Sequence, residues 1–304
     1  MIDAALAVAF TAAAVRVGTP LALAAVGETV AERSGVINLG IEGAMLGGAF
    51  GAAAGASHGG LVVGVVAGIA AGLLVATLFA VVAIGARADQ IIAGTAITLA
   101  ATGLTGLLAH GVWGTAGAGL SLPTLRPISL PMLGDIPLVG PSFFRQSLLT
   151  YVAYLVIPLA SWLLFRTRFG LEVRASGEAP AAAAAAGVAV ARTRTLATLI
   201  GGACAGLAGA SLVLAQVGTF TERMTGGRGF IAIAIVALGR WHPWGVAIAS
   251  LVFGGATALQ YMFQASGTQI PYQLFIALPY LLALVGLTIA VGRRRGPAAL
   301  GRPH

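Results

Sequence analysis

Glycine recurs at every fourth position through two consecutive apolar stretches of the chain. The two ridges consist of Gly43, Gly47, Gly51 and Gly55, and then of Gly60, Gly64, Gly68 and Gly72. A spacing of four places the glycines of each ridge on one side of a helix. Lipid tails are as apolar as leucine, so helices in a bilayer associate through close backbone contact at such small residues. The ridges therefore predict tightly packed transmembrane helices.

The composition indicates the same class of protein. Of the 304 residues, 58% are hydrophobic and 9% are charged, and the mean hydropathy is +0.96, whereas a soluble domain carries about 25% charged residues. A helix needs about 20 apolar residues to cross the hydrocarbon core, and such stretches recur between about residues 4 and 292. We predict an all-α polytopic membrane protein with about nine crossings, eight to ten being compatible with the pattern.

Two segments make the number of crossings ambiguous. The first apolar stretch, about 4–26, carries Arg16 in its middle, and because a charge facing lipid is costly, we expect this stretch to be broken or partly interfacial. Residues 228–240 are too short to cross unaided and should form one limb of a discontinuous helix. Clear spans are predicted near residues 38–56, 60–84, 90–113, 146–165, 195–217, 244–265 and 271–292. The proline-rich segment 114–145 should be extended or turned, and should lie outside the cell.

The basic residues are unusual because all 17 are arginine and none is lysine. A P-loop of the GxxxxGK[ST] type and a Schiff-base nucleophile both need a lysine amine, so an ATPase of that type must come from another chain. The arginines cluster in the loop 166–194 and in residues 293–302. The positive-inside rule places both segments in the cytoplasm, which explains the net charge of +8 without nucleic-acid binding. We expect residues 1–292 to form one transmembrane domain with its N-terminus outside, and residues 293–304 a basic cytoplasmic tail.

The densest polar cluster near the membrane lies within residues 27–48. Glu28 and Glu32 are expected to be solvated in a cytoplasmic turn. Two interpretations stay open for Asn38 and Glu42. Both side chains fit a translocation route, since ionisable groups inside a membrane usually face a bundle interior or a water-filled path. Glu42 equally suits the first turn of a helix, where a carboxylate complements the helix dipole.

A short helix is predicted in the arginine-rich loop. Pro180 suits the first helical position, six alanines follow it, and Gly187 suits the left-handed residue that ends a helix. Such a helix is only marginally stable alone, so we expect it either to dock on a partner or to be an ordinary connector.

Residues 220–245 place Phe220 and Glu222 beside several glycines, just before the short apolar limb. Unwound glycine-rich backbone at a discontinuous helix is typical of a binding cavity. An external loop with a salt bridge from Glu222 to an arginine explains the residues equally well. The four histidines are isolated, and the sequence contains no HExxH motif. We therefore predict no catalytic site, metal or cofactor in this chain.

Four blocks of the sequence, in order, resemble the membrane permease subunits of bacterial ABC importers. The blocks are residues 19–46, 166–194, 222–245 and 270–287. The family serves branched-chain amino acids, ribose-type sugars and nucleosides, and the chain is most similar to its sugar and nucleoside branch.

The resemblance implies a multi-pass permease of the bacterial inner membrane that imports nucleosides or related sugars by alternating access. It implies a second homologous permease in a heterodimer, an extracytoplasmic substrate-binding lipoprotein, and ATPase chains that hold ATP and Mg. Alternatives are a branched-chain amino acid or simple-sugar permease, an ion-coupled secondary transporter and a structural scaffold. The implied coupling residues are Gly177, Glu178, Pro180, Ala183 and Gly187. The implied pathway residues are Asn38, Glu42, Phe220, Glu222 and Thr98, the last standing where relatives often have asparagine.

Overall fold

A computed structural model describes residues 4–114, 121–265 and 296–302, together with the single positions 277, 281, 284 and 288. Its helices are α1 Ala4–Arg33, α2 Ile41–Phe79, α3 Gln90–Trp113, α4 Val139–Phe143, α5 Leu148–Arg166, α6 Arg168–Glu178, α7 Pro180–Ala185, α8 Val190–Ser211, α9 Arg228–Leu238 and α10 Pro243–Ala265. Wider π-helical turns extend α2 over Ala80–Gly85 and α8 over Leu212–Val217. The predicted helical class is confirmed, and the predicted span 271–292 lies outside the described residues.

Six helices of the described part are long and apolar enough to cross a membrane. They are α1, α2 with its extension, α3, α5, α8 with its extension, and α10. The apolar helix α9 is shorter, with 11 residues. The chain is therefore a polytopic helical membrane protein.

The first helix is continuous, so the break that was one of the two alternatives for this stretch does not occur. Pro20 lies inside α1 and has no N–H to donate to the Arg16 carbonyl one turn earlier. The Gln216 side chain replaces that donor, since its Nε2 lies 2.8 Å from the Arg16 carbonyl oxygen. The Arg16 side chain is exposed. A helix in lipid tolerates proline when another group satisfies the freed carbonyl, and α8's extension supplies that group here.

The second helix reverses direction at Gly60, as the two predicted spans 38–56 and 60–84 require. Gly60 has φ 80° and ψ −174°, a conformation that breaks a helix and suits glycine. The two limbs then pack against each other: a Cβ on Gly55 would lie 3.0 Å from the Gly64 Cα, and a Cβ on Gly51 would lie 2.7 Å from the Ala67 carbonyl. Residues 41–59 and 61–85 thus form an antiparallel helical hairpin.

The glycine ridges make the close contacts that the sequence predicts. A Cβ on Gly72 would lie 2.5 Å from the Gly206 Cα of α8, and one on Gly68 would lie 3.0 Å from the Gly48 carbonyl. Gly60 is the exception, because no atom lies within 4 Å of a Cβ built there. The ridge therefore begins at Gly64, and Gly60 serves the reversal. Helix α8 packs along the hairpin, and α1 and α10 form the second closely packed pair.

The proline-rich segment is largely non-helical where the structure describes it, from residue 121 onward. Two-residue strands, Ile128–Ser129 and Arg145–Gln146, pair antiparallel. The expectation fails only at α4, a helix of five residues. This segment packs on the end of α8, since the Leu122 amide donates to the Gly218 carbonyl at 2.9 Å. We call this side of the molecule the proline-rich end, and the side that holds residues 166–194 and 296–302 the arginine-rich end.

Candidate functional site

The start of α9 is held by a carboxylate from α2. Glu42 Oε1 accepts hydrogen bonds from Thr225 Oγ1 at 2.6 Å and from the Gly227 amide at 2.8 Å, and Oε2 accepts one from the Gly229 amide at 2.6 Å. The first amides of a helix have no partner within the helix and carry partial positive charge. Gly227, the N-cap, has no side chain to cap them. Glu42 is buried and performs this role instead.

The length of α9 fits the predicted limb of a discontinuous helix. Its 11 residues span about 16 Å, roughly half of the ~30 Å hydrocarbon core. Its C-terminal end lies at the arginine-rich end, where Trp241 Nε1 donates to Glu32 Oε2 at 2.5 Å and the Arg33 Nε donates to the Trp241 carbonyl at 2.8 Å. The residues directly before α9 therefore lie about half a membrane thickness from the arginine-rich end, next to Glu42.

The segment between α1 and α2 folds back along α1. The Asn38 amide donates to Glu28 Oε1 at 2.9 Å, although the two residues are ten positions apart. The Asn38 side chain in turn accepts from the Gly40 amide at 3.0 Å, and Thr98 Oγ1 of α3 donates to the Leu39 carbonyl at 3.0 Å. Asn38 and Thr98 are both buried. These contacts set where α2 begins, and so they set the position of Glu42.

The expectation that Glu28 and Glu32 are solvated was wrong. Both side chains are buried, with 0% and 2% of their surface exposed. Glu28 is covered by the return of the chain after Arg33, through residues 34–40, and Glu32 is covered by Trp241 beyond the end of α9. The burial results from tertiary packing. It could not be predicted locally, because charged residues followed by Gly35 are typical of a solvated turn.

Three aromatic rings form a cluster toward the proline-rich end. Phe220 is buried between Phe50 of α2 and Trp113 of α3, with ring centroids 5.7 Å and 6.0 Å away, and the other two rings are 5.4 Å apart. These tilted and edge-on arrangements are the favourable ones for aromatic rings. The cluster anchors the beginning of the loop that leads down to α9.

An open cavity of about 340 Å³ lies beside this loop, against α3. Glu222 Oε1 and His110 Nε2 are 2.7 Å apart at its wall, and both side chains are about half exposed. Arg223, Thr102 and Gly106 also line the cavity. The wall thus offers a carboxylate, an imidazole, a guanidinium and a hydroxyl to a polar solute. Glu222 pairs with His110, and not with the arginine that the external-loop interpretation proposed.

The five predicted pathway residues occupy two kinds of position. Glu222 lines the cavity. The other four, Asn38, Glu42, Thr98 and Phe220, are buried and position the backbone around it. Sequence reasoning missed Thr225 and His110. The sequence offered two indications of these residues: glycines lie beside Thr225, and His110 lies near the end of an apolar stretch. Neither feature specifies the residue's partner.

The arginine-rich end carries the predicted short helix. Helix α7 starts with Pro180 at its first position, and Gly187, just after its end, has φ 88°. Ala183 faces inward, with 6% of its surface exposed, whereas Ala182 and Ala185 are exposed. Gly177 is buried against α1, because a Cβ placed there would collide with the Arg33 carbonyl. Glu178 and Gly187 are exposed.

The comparison with known families gives a match along most of the chain. The family described as the permease component of branched-chain amino acid transport systems matches residues 10–292. The chain belongs to this permease family. With six long apolar helices among its described residues, the permease is a multi-pass protein of the cell membrane. Within residues 4–114, 121–265 and 296–302, no group of three histidine, cysteine or acidic side chains is placed to hold a metal ion.

Three curated relatives of the permease have names that state a substrate class. It is 35% identical to the guanosine ABC transporter permease protein NupQ of Bacillus subtilis, over 94% of this chain and 92% of that protein. It is 33% identical to the nucleoside ABC transporter permease protein NupC of Lactococcus lactis, over 93% and 92%. It is 37% identical to the putative glucose ABC transporter permease protein TsgC13 of Haloferax volcanii, over 83% and 77%. No solved structure matches the chain.

Proposed function

We propose that the chain is the membrane permease subunit of an ATP-binding cassette importer for nucleosides or related sugars. The similarity to NupQ and NupC along more than nine-tenths of each chain is the observation that carries this proposal. ATP would be hydrolysed in a separate ATPase chain, where ATP and Mg would bind. The lack of any lysine agrees with that division, since a P-loop needs one.

The crossing topology that we propose has nine crossings with the N-terminus outside. The hairpin α2 contributes two of them, α9 contributes one through its half-length helix, and residues 271–292 contribute the last. The positive-inside rule places the arginine-rich end in the cytoplasm. The aromatic cluster and the cavity beside Glu222 then lie on the extracytoplasmic half, where a substrate-binding lipoprotein would deliver the solute.

The proposed route for the solute runs along the cavity and the loop 218–227. Polar and charged side chains at a lipid-facing surface are unfavourable, so the half-exposed pair of Glu222 and His110 fits a wall that faces either water or another protein. A second homologous permease would supply the opposite wall. Glu42, Asn38 and Thr98 would then hold α9 in place, with the N-terminal end of α9 pointing toward the route. Transporters with discontinuous helices place the N-terminal ends of their half-helices at the substrate in the same way.

Coupling to the ATPase is proposed for residues 177–187. Helix α7 has six residues and protrudes from the arginine-rich end with Ala182 and Ala185 exposed. A helix this short is marginal by itself, which fits an element that docks in a partner's groove. Small alanine side chains would permit a close fit, and Ala183 would hold the inner side of the helix against the permease.

The docking role predicts that a bulky charge on the outer side of α7 uncouples transport. Ala185→Glu should reduce uptake at least about tenfold, because an unpaired charge buried in a docking groove costs more than the ~1.4 kcal/mol that corresponds to that factor. Ala185→Ser, which changes the same position without adding a charge or much bulk, is the matched control and should transport normally. Uptake assays in whole cells, with membrane levels measured by immunoblot, test this. Normal uptake in Ala185→Glu would remove the docking role.

The substrate class can be tested on the natural complex. Native mass spectrometry of the gently solubilised assembly should detect two permeases, ATPase chains and a binding protein. Thermal unfolding of that binding protein with nucleosides, sugars and branched-chain amino acids then identifies the ligand, since ligand at 100 times its dissociation constant adds about 2.7 kcal/mol of stability. Stabilisation by simple sugars alone would favour the second candidate, a sugar permease, for which the similarity to TsgC13 is the supporting observation.

A further inference from the structure

The segment 296–302, which we call the clasp, is bound to three separate parts of the permease at its arginine-rich end. The Ala299 amide donates to the Gly177 carbonyl at 2.9 Å. Gly177 is the first residue of the proposed coupling segment 177–187. The Gly301 amide donates to the Gly35 carbonyl, just after α1, at 3.0 Å. Ala299 is buried, with 5% of its surface exposed. The clasp therefore joins the base of α7 to the end of α1 by backbone hydrogen bonds.

A buried arginine of α8 forms the third attachment. Arg194 is 1% exposed, and its Nη2 donates to the Ser176 carbonyl at 3.3 Å. Its Nη1 lies 3.5 Å from the Arg302 carbonyl. A Cβ on Gly35 would lie 2.7 Å from Nη2, so the guanidinium fills the space between these segments. Arg194 thus connects the last turn of α6, the clasp and the start of α8.

The clasp also reaches the end of α9. A Cβ on Gly296 would lie 2.7 Å from Trp241 Cζ2, so the segment passes directly over the indole ring. The same Trp241 donates to Glu32 and, through its carbonyl, accepts from Arg33. One short segment therefore contacts the base of α7 and the C-terminal end of the helix whose other end binds Glu42.

We propose that the clasp is a positioning element that couples movement of α7 to α9. This inference rests on the proposed function, because it needs an ATPase that moves α7. Helix α7 has only six residues, and so short a helix is marginally stable by itself. It can transmit a displacement imposed by the ATPase only if the residues before it, at Gly177, are held in place. The hydrogen bond to Gly177 and the contacts of Arg194 fix that base, and the contact with Trp241 carries its displacement to α9.

Two full-length variants and one control test the clasp in the complete complex reconstituted in proteoliposomes. Ala299→Pro removes the amide that donates to Gly177. Gly301→Ala keeps every backbone donor but places a Cβ at φ 73°, where residues other than glycine are strained. Gly114→Ala is the control, because Gly114 has a similar φ of 75° with no atom within 4 Å of the added Cβ. The measured quantity is the number of solute molecules imported per ATP hydrolysed.

We expect both clasp variants to assemble and hydrolyse ATP at the wild-type rate while the transport ratio falls about fivefold. This factor corresponds to the lost hydrogen bond in Ala299→Pro and to the strain of a left-handed alanine in Gly301→Ala. The control should keep the wild-type ratio. An unchanged ratio in both variants, or a parallel loss of uptake and hydrolysis, would overturn the clasp while leaving the proposed function standing. If Ala299→Pro does not assemble, Gly301→Ala decides. A wild-type complex without ATP-driven uptake would overturn the proposed function, and the clasp with it.

Discussion

The bond between Glu42 and the start of α9 allows a quantitative prediction. Glu42→Ala removes the acceptor of three hydrogen bonds, from Thr225 Oγ1 and from the amides of Gly227 and Gly229. A hydrogen bond to a charged group contributes about 1.5–3 kcal/mol, and contributions from one network are not additive. We therefore expect the first turn of α9 to lose about 4 kcal/mol of local stability, slightly less than the ~4.5 kcal/mol at which the summed range begins.

Amide hydrogen exchange of the detergent-solubilised permease measures this loss directly. A loss of about 4 kcal/mol corresponds to roughly thousandfold faster exchange of the amides in residues 227–232. Glu42→Gln keeps one acceptor oxygen and should give an intermediate rate. Glu172→Ala, at an exposed glutamate of α6, is the matched control and should leave these rates unchanged. Wild-type exchange in Glu42→Ala would refute the carboxylate cap, as would an equal effect of Glu172→Ala.

Three further substitutions test other contacts. Gly206→Val should destabilise the fold by at least about 3 kcal/mol, because its Cβ would collide with the hairpin backbone. Gly103→Ala has open space inside α3 and should leave the melting temperature unchanged or slightly raised. Equal melting temperatures of the two variants would contradict the close packing of Gly206. Trp241→Phe removes the donor to buried Glu32 and should cost about 2 kcal/mol, seen as a lower melting temperature that Trp244→Phe does not reproduce. Glu222→Gln should lower uptake but not thermal stability, because a half-exposed contact of this kind contributes about 0–1 kcal/mol. A fall in stability without a change in uptake would make the contact between Glu222 and His110 structural.

Periodic features of the fold could be predicted from the sequence. Glycines spaced by four required close helix contacts, and the structure places Gly72 against Gly206. The short apolar limb before Arg240 predicted a half-length helix, and α9 has that length. Pro180 and Gly187 predicted the two ends of α7. In each case the information is local, because it depends on spacing within one helix or on the backbone preference of one residue.

Contacts between distant segments could not be predicted in this way. Glu42 and Thr225 are 183 positions apart, and nothing in either local sequence names the other as its partner. The burial of Glu28 depends on the return of residues 34–40 along α1, which is a property of the tertiary fold. The inward direction of Ala183 was equally hidden, since a run of identical alanines has no apolar periodicity from which to read a buried face. The pathway and coupling roles of these residues remain predictions.

We predict that this permease imports its solute only when a separate ATPase acts on its arginine-rich end. Proteoliposomes containing the permease pair and its binding protein, with or without the ATPase chains, test the claim with radiolabelled guanosine as the solute. The account predicts accumulation against a gradient only when the ATPase chains and hydrolysable ATP are both present. Accumulation by the permease without its ATPase, driven by an ion gradient, would contradict it.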